Sequence, residues 1–120
     1  MKQLVSIFRI LSDETRLRII VLLAQKELCV CELCDILELS QPKVSKSLAK
    51  LRDLNLVASE RKEKFVFYKL KDDNAILIRT VESILDNIDD YSQLVLDQSR
   101  NVENEKLLQC CMNQMIEDLE

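Results

Sequence analysis

Three thiols stand within six residues, Cys29-Val30-Cys31-Glu32-Leu33-Cys34. Thiolates are the softest ligands a protein offers and prefer thiophilic ions to hard cations. The chain has no histidine, so three thiolates alone do not complete a tetrahedral structural zinc site. A trigonal ion with a lone pair, As(III) or Sb(III), needs only three donors, whereas Cd(II) or Pb(II) would recruit a fourth ligand or solvent. Disulfide or polysulfide formation is a further chemistry open to the same thiols. The plain alternative is that cysteine is a small core residue. That fits Cys34, at the edge of an apolar stripe of Val30, Leu33 and Leu37. It fits poorly for Cys31, well off the stripe, and for Cys29, which precedes it.

Geometry constrains the cluster. In a helix, Cys31 and Cys34 share a face, while Cys29 and Cys31 point to nearly opposite sides. All three sulfurs meet on one ion only if Cys29 precedes the helix or the first turn unwinds. Ligand capture should therefore distort the start of this helix. A helix N-terminus is also expected to lower thiol pKa values. Cys110-Cys111 forms a second, weaker thiol feature. Adjacent cysteines rarely bridge each other, so the pair reads either as an accessory thiol site or as one seam residue and one incidental thiol.

The elements that position these thiols are legible as mainly helical. Leu4, Ile7, Phe8 and Leu11 give a short first helix. Ser12-Asp13-Glu14 caps a second, with Leu17, Ile20 and Val21 as its stripe. Residues 30–37 form a third. Ser40 caps a fourth, with Pro42 in its first turn, where a missing N–H does no harm; Val44, Leu48 and Leu51 are its buried stripe, and Asn55 ends it. Residues 56–59 and 65–68 are β-rich and flank a charged four-residue loop, Arg61-Lys62-Glu63-Lys64. The fold class that follows is mainly α: a winged helix-turn-helix with a two-stranded β hairpin. From Asp72, Leu77, Val81, Ile84, Ile88, Tyr91 and Val95 step by four and three, which predicts one long helix with a coiled-coil-like seam. A polar break at Gln98-Ser99-Arg100-Asn101 divides the chain into residues 1–98, for DNA binding and dimerisation, and a helical tail, 99–120, with the cysteine pair.

With the fourth helix's apolar stripe inward, Lys43, Lys46 and Lys50 point outward, with Ser40, Gln41 and Ser45 at its start and sides. Lysines can neutralise phosphates, and Ser and Gln can hydrogen-bond base edges in a major groove. Arg61, Lys62 and Lys64 would extend the contact from the hairpin. Such lysines can equally be the solvated side of an amphipathic helix. The order of elements favours double-stranded DNA as partner. Charge distribution agrees: residues 1–71 carry 14 Lys/Arg against 9 Asp/Glu, and residues 72–120 carry 3 against 12, so only the first part suits a polyanion.

Composition removes other classes. With no glycine and no histidine, the chain lacks glycine phosphate loops, dinucleotide fingerprints, and Ser-His or Cys-His catalysis. An enzyme is not expected, nor a catalytic cofactor; a thiol enzyme or metal carrier remains the competing class. The longest uncharged run, Leu107 to Ile116, is too short to span a bilayer. Arg9 interrupts the first apolar stretch, unlike a signal peptide, so a cytoplasmic location with reduced thiols is the expectation.

Over roughly residues 3–85 the sequence resembles the ArsR/SmtB family of metalloregulatory repressors. The carriers are residues 11–19 (LSDETRLRI), 27–34 (ELCVCELC) and 40–48 (SQPKVSKSL), with 65–68 resembling the wing strand. ELCVCELC is similar to the arsenic box of arsenical-resistance repressors. The resemblance implies a homodimeric repressor that releases its operator when arsenite or antimonite binds Cys29, Cys31 and Cys34. It also implies an interface built from the first and last helices, which would include Leu4, Phe8, Leu77, Val81, Ile84, Ile88 and Tyr91. Cd(II)/Pb(II)-responsive and thiol-redox repressors are the alternatives within the same fold. The family's histidine-containing site is not carried over.

Overall fold

A chain without glycine must turn its corners with residues that pay for a left-handed backbone. Among the described residues it does so at Glu38, Asn55 and Glu63, with φ of 55°, 64° and 58°. The structure, a computed structural model, describes residues 1–103. These three corners separate the elements that carry the candidate site.

α1 (Lys2–Leu11) leads into α2 (Glu14–Gln25), which Asp13 caps by accepting the Arg16 N–H at 3.0 Å. α3 (Val30–Leu37) stops at Glu38, and α4 (Gln41–Asp53) follows with Ser40 as N-cap and Pro42 in its first turn. Val44, Leu48 and Leu51 are fully buried, as their spacing predicts, against Ile19, Ile20, Leu33, Ile36 and Leu77. α3 and α4 with their short turn are the helix-turn-helix; β2 (Val57–Lys62) and β3 (Phe65–Leu70) are the wing.

Several features differ from expectation. The sheet has three strands, not two: β1 (Leu28–Cys29) pairs antiparallel with β3, Leu28 opposite Tyr68 and Cys29 opposite Phe67, in the order β1-β3-β2. A two-residue strand is too short to show alternation, so only its pairing reveals it. The wing turn is Glu63-Lys64 alone, because the strands extend through Lys62 and from Phe65.

The expected long helix is two. α5 (Ala75–Asp86) ends at Asn87, a 3-10 turn covers Ile88–Asp90, and a further helix, α6, runs from residue 92 through the last described residue, 103. Acids at 86, 89 and 90 oppose a helix C-terminus but favour the start of a new helix. α6 is continuous through 98–101, where a polar break was expected. The seam is also divided in burial. Leu77 and Val81 lie in the chain's own core, so the continuous interface seam is corrected: these two are core residues. Ile84 and Ile88 are half-buried, and Tyr91 is 47 % exposed. No helix among the described residues is long and apolar enough to cross a membrane.

Candidate inducer site and nucleic-acid interface

Cys29 is the last residue of β1 and the N-cap of α3, with extended backbone at φ −88°, ψ 168°. It therefore precedes the helix, as convergence of the three sulfurs demands. Its side chain is buried, Cys34 is half-buried, Cys31 is exposed, and all three are free thiols. They are not drawn together: among the described residues no three Cys, Asp or Glu side chains form a group that could hold a metal ion. Gathering them requires the end of β1 or the first turn of α3 to move.

The expectation of a lowered thiol pKa is overturned. Cys29 is pushed up to about 11, chiefly by burial, which penalises the thiolate. The Glu32 backbone N–H at the helix start pulls the other way but is outweighed. The Glu32 carboxylate and Cys31 add to the rise. Burial also raises Cys34, followed by the charges of Cys31 and Asp35.

Glu32 is a site residue that the thiol spacing did not point to. It is 2 % exposed, and its Oε1 accepts the Cys29 N–H at 3.2 Å, closing a capping box across the first turn. Its Oε2 is buried with no hydrogen-bond partner among the described residues. The signal was present: Cys29-x-x-Glu32 is the Ser/Thr-x-x-Glu spacing with a thiol in place of the hydroxyl. A buried carboxylate half-satisfied beside three thiols is an electrostatic mismatch, and a cation arriving there would relieve it.

On α4, Ser40, Gln41, Lys43, Lys46 and Lys50 are exposed, and Ser45 is half-buried. Lys43, Lys46 and Lys50 share a cleft of about 270 Å³ with the first turn of α2, lined there by Asp13, Thr15 and Arg16. Arg16 was not anticipated at this surface. Its guanidinium is oriented by Ile10 O at 3.2 Å and Arg9 O at 3.4 Å. Arg61, Lys62 and Lys64 are exposed on the wing. Lys62 is tied down, with Nζ 3.2 Å from Glu27 Oε2 and 5.5 Å from the Phe67 ring centre. Arg61 Nε donates to Glu63 O at 3.4 Å across the turn.

Leu4, Val5 and Phe8 are exposed on α1, and Leu96 and Val102 on α6. Cys110 and Cys111 lie outside the described residues.

The model of the bacterial regulatory protein, arsR family, matches residues 13–59, which run from the α2 cap through the cysteines and α4 to the wing. Reduced HlyU from Vibrio cholerae N16961 superposes with a TM-score of 0.64 at 34 % identity, over 69 % of this chain and 85 % of that one. This chain belongs to the arsR family of bacterial regulatory proteins. Among its family relatives is the arsenical resistance operon repressor of Escherichia coli K12, 49 % identical over 67 residues, covering 55 % of this chain and 57 % of that protein. The cadmium resistance regulator CadC of Listeria innocua serovar 6a is 42 % identical over 65 residues, 53 % and 55 % of the two chains. The chain thus spans about half the length of the curated relatives it matches.

Proposed function

We propose that this protein is a DNA-binding transcriptional repressor that releases its operator when As(III) or Sb(III) binds Cys29, Cys31 and Cys34. One observation carries the reading: Cys29 is a joint. Its backbone belongs to a strand paired with the wing at Phe67, and it also caps the helix that packs against α4. The chemistry is ligand exchange without redox change. Arsenous acid and three thiols give a tris-thiolate and three waters; three As–S bonds form, three As–O bonds break, and the thiol protons leave with the hydroxides.

Cys29 must leave its buried position opposite Phe67 and its capping box with Glu32 to share an ion with Cys31. That motion pulls on the wing through β3 and on the start of α3. The DNA face consists of Gln41, Lys43, Ser45, Lys46 and Lys50 on α4, with Arg61 and Lys64 on the wing. A homodimer would place two such faces on successive half-sites, with the exposed apolar residues of α1 and α6 as its interface. Cytoplasmic location follows from this function.

The relatives named for arsenic and the three-donor stoichiometry favour a trigonal metalloid. A Cd(II)/Pb(II) reading draws support from the cadmium-resistance relative and from Glu32 as an oxygen donor beside the thiols. Operator titration followed by fluorescence anisotropy decides. Arsenite at low micromolar concentration should release wild type, and Cys31→Ser and Cys34→Ser should remain bound. Retained release in both variants overturns the assignment, and release by Cd(II) but not arsenite moves it to the second reading.

A further inference from the structure

The end of α3 opposite the thiols is held by side chains from far along the chain. The last carbonyls of a helix lack intrahelical donors. Here Ile36 O accepts Arg100 Nη1 at 3.3 Å, and Leu37 O accepts Arg18 Nη2 at 3.3 Å. Arg100 Nη2 also lies 3.3 Å from Glu38 Oε1. Arg18 is fixed in turn by Asp97, with Nε and Nη2 each 2.9 Å from a carboxylate oxygen, and Gln93 donates to the same carboxylate at 3.1 Å. Gln93, Asp97 and Arg100 all belong to α6, so one helix grips the end of the cysteine helix.

The grip falls on the residue that ends α3. Glu38 is left-handed, and its N–H donates to Cys34 O, as does that of Leu39 at 3.3 Å. A candidate sulfur ligand therefore supplies the carbonyl on which the helix stop is built. Recognition helix α4 begins three residues after Glu38. A backbone shift of Cys34 toward a shared ion would displace this carbonyl and the stop, and with it both groups that Arg100 holds.

We propose that Arg100 is a positioning residue that stabilises the DNA-competent arrangement by clasping Ile36 O and Glu38, and that thiol capture by the inducer loosens this clasp. The proposal deepens the sensing function above and rests on it. α6 thereby becomes part of the switch: it is the element that thiol capture must work against, and the same helix carries exposed Leu96 and Val102. A side chain that favours the operator-competent form depopulates the inducer-binding form, so its loss lowers operator affinity and raises inducer affinity, the two changes multiplying to the shift in the equilibrium between the forms.

The test is Arg100→Ala in the full chain, with Glu38→Gln as a second variant that removes only the ion pair. Arg100 is partly exposed, so its truncation buries no unpaired charge. Both variants are titrated with operator DNA without inducer, and with arsenite in the absence of DNA, followed by the ultraviolet As–S absorption. For Arg100→Ala, operator affinity should fall and arsenite affinity rise, the product of the two changes being about fivefold, the lower end of coupling between sites. Glu38→Gln should shift both in the same directions by less, and Arg100→Lys should recover part of the change. A merely structural role would lower the unfolding midpoint while leaving both affinities within twofold of wild type, and that outcome overturns the proposal. If Arg100→Ala does not fold, unchanged affinities in Glu38→Gln overturn it. A wild type that binds operator but ignores arsenite overturns the sensing function instead, and the inducer-free operator comparison then decides the clasp.

Discussion

The two ends of α3 are built in opposite ways. At its N-terminus, Cys29, Cys31, Glu32 and Cys34 lie within six residues; the Glu32 side-chain bond to the Cys29 N–H is local, and the strand pairing of Cys29 with Phe67 ties this end to the wing. Among the described residues, one oxygen of the Glu32 carboxylate is buried without a partner, and the thiols are not gathered into one group. At its C-terminus the exposed carbonyls are covered by guanidinium groups 19 and 64 residues away, and one of these is locked to a carboxylate 79 residues away. The first end rests on a capping box and a two-residue strand and leaves a buried acceptor unused. The second is over-determined by the tertiary fold. A short helix loose at one end and clamped at the other passes a local change onward rather than absorbing it.

The firmest way to break this contrast is Asp97→Ala. It leaves the Arg18 guanidinium buried and unpaired, and breaking a buried pair costs about 3–5 kcal/mol. Urea denaturation should show this loss; a change below about 1 kcal/mol would mean that the C-terminal end is not held by this pair. Asp97→Asn, which keeps hydrogen-bonding capacity, should cost less.

Alkylation compares thiols within the loose end. With Cys29 raised from 9.0 to about 11 and buried, and Cys31 exposed, iodoacetamide at pH 7.5 should modify Cys31 first and Cys29 last. The higher pKa by itself leaves Cys29 about a hundredfold less ionised than an ordinary thiol. Peptide mass mapping against time reads the order, and equal rates would contradict the burial of Cys29.

Glu32→Gln removes the carboxylate charge beside Cys29 while keeping an acceptor for its N–H. The Cys29 pKa should fall, since Glu32's charge and side-chain bond both raise it. Cys29 alkylation should quicken in proportion to the thiolate gained, about tenfold if the pKa drops from 11 to 10. No change would assign the whole effect to burial.

The smallest effect is on stability against pH. A folded pKa above the unfolded value means that the neutral thiol is favoured by folding. This contribution is complete below about pH 9 and is lost as pH rises toward 11. Thermal unfolding of wild type should therefore weaken between these values, and Cys29→Ala should remove that part of the slope. A parallel slope in the variant would place the pH dependence elsewhere.

Much of the candidate DNA face was legible in the sequence. Residues 30–37 are α3 as their apolar spacing predicts, Asn55 takes the left-handed stop, and Val44, Leu48 and Leu51 turn the lysines of α4 outward. These features repeat with the helical period or follow from one residue's backbone preference. The cysteine cluster was legible as three neighbouring thiols, but Cys29 was not legible as a strand end, because two residues carry no periodicity. The seam from Leu77 to Val95 misled because spacing shows which residues share a stripe, not whether the stripe faces its own core or a partner. Glu32 was visible only through an unusual capping box.

The sequence alone determined the local chemistry: three soft donors at one helix start, a basic helix after it, and the corners of a chain without glycine. These depend on neighbours within about one helical turn. Tertiary structure alone decided that Cys29 is tied to the wing, that its thiol is raised rather than lowered, and that Arg18, Asp97 and Arg100 grip the far end of α3. Burial and pairing between residues tens of positions apart come from packing, and no local pattern in the chain encodes which distant side chain will arrive.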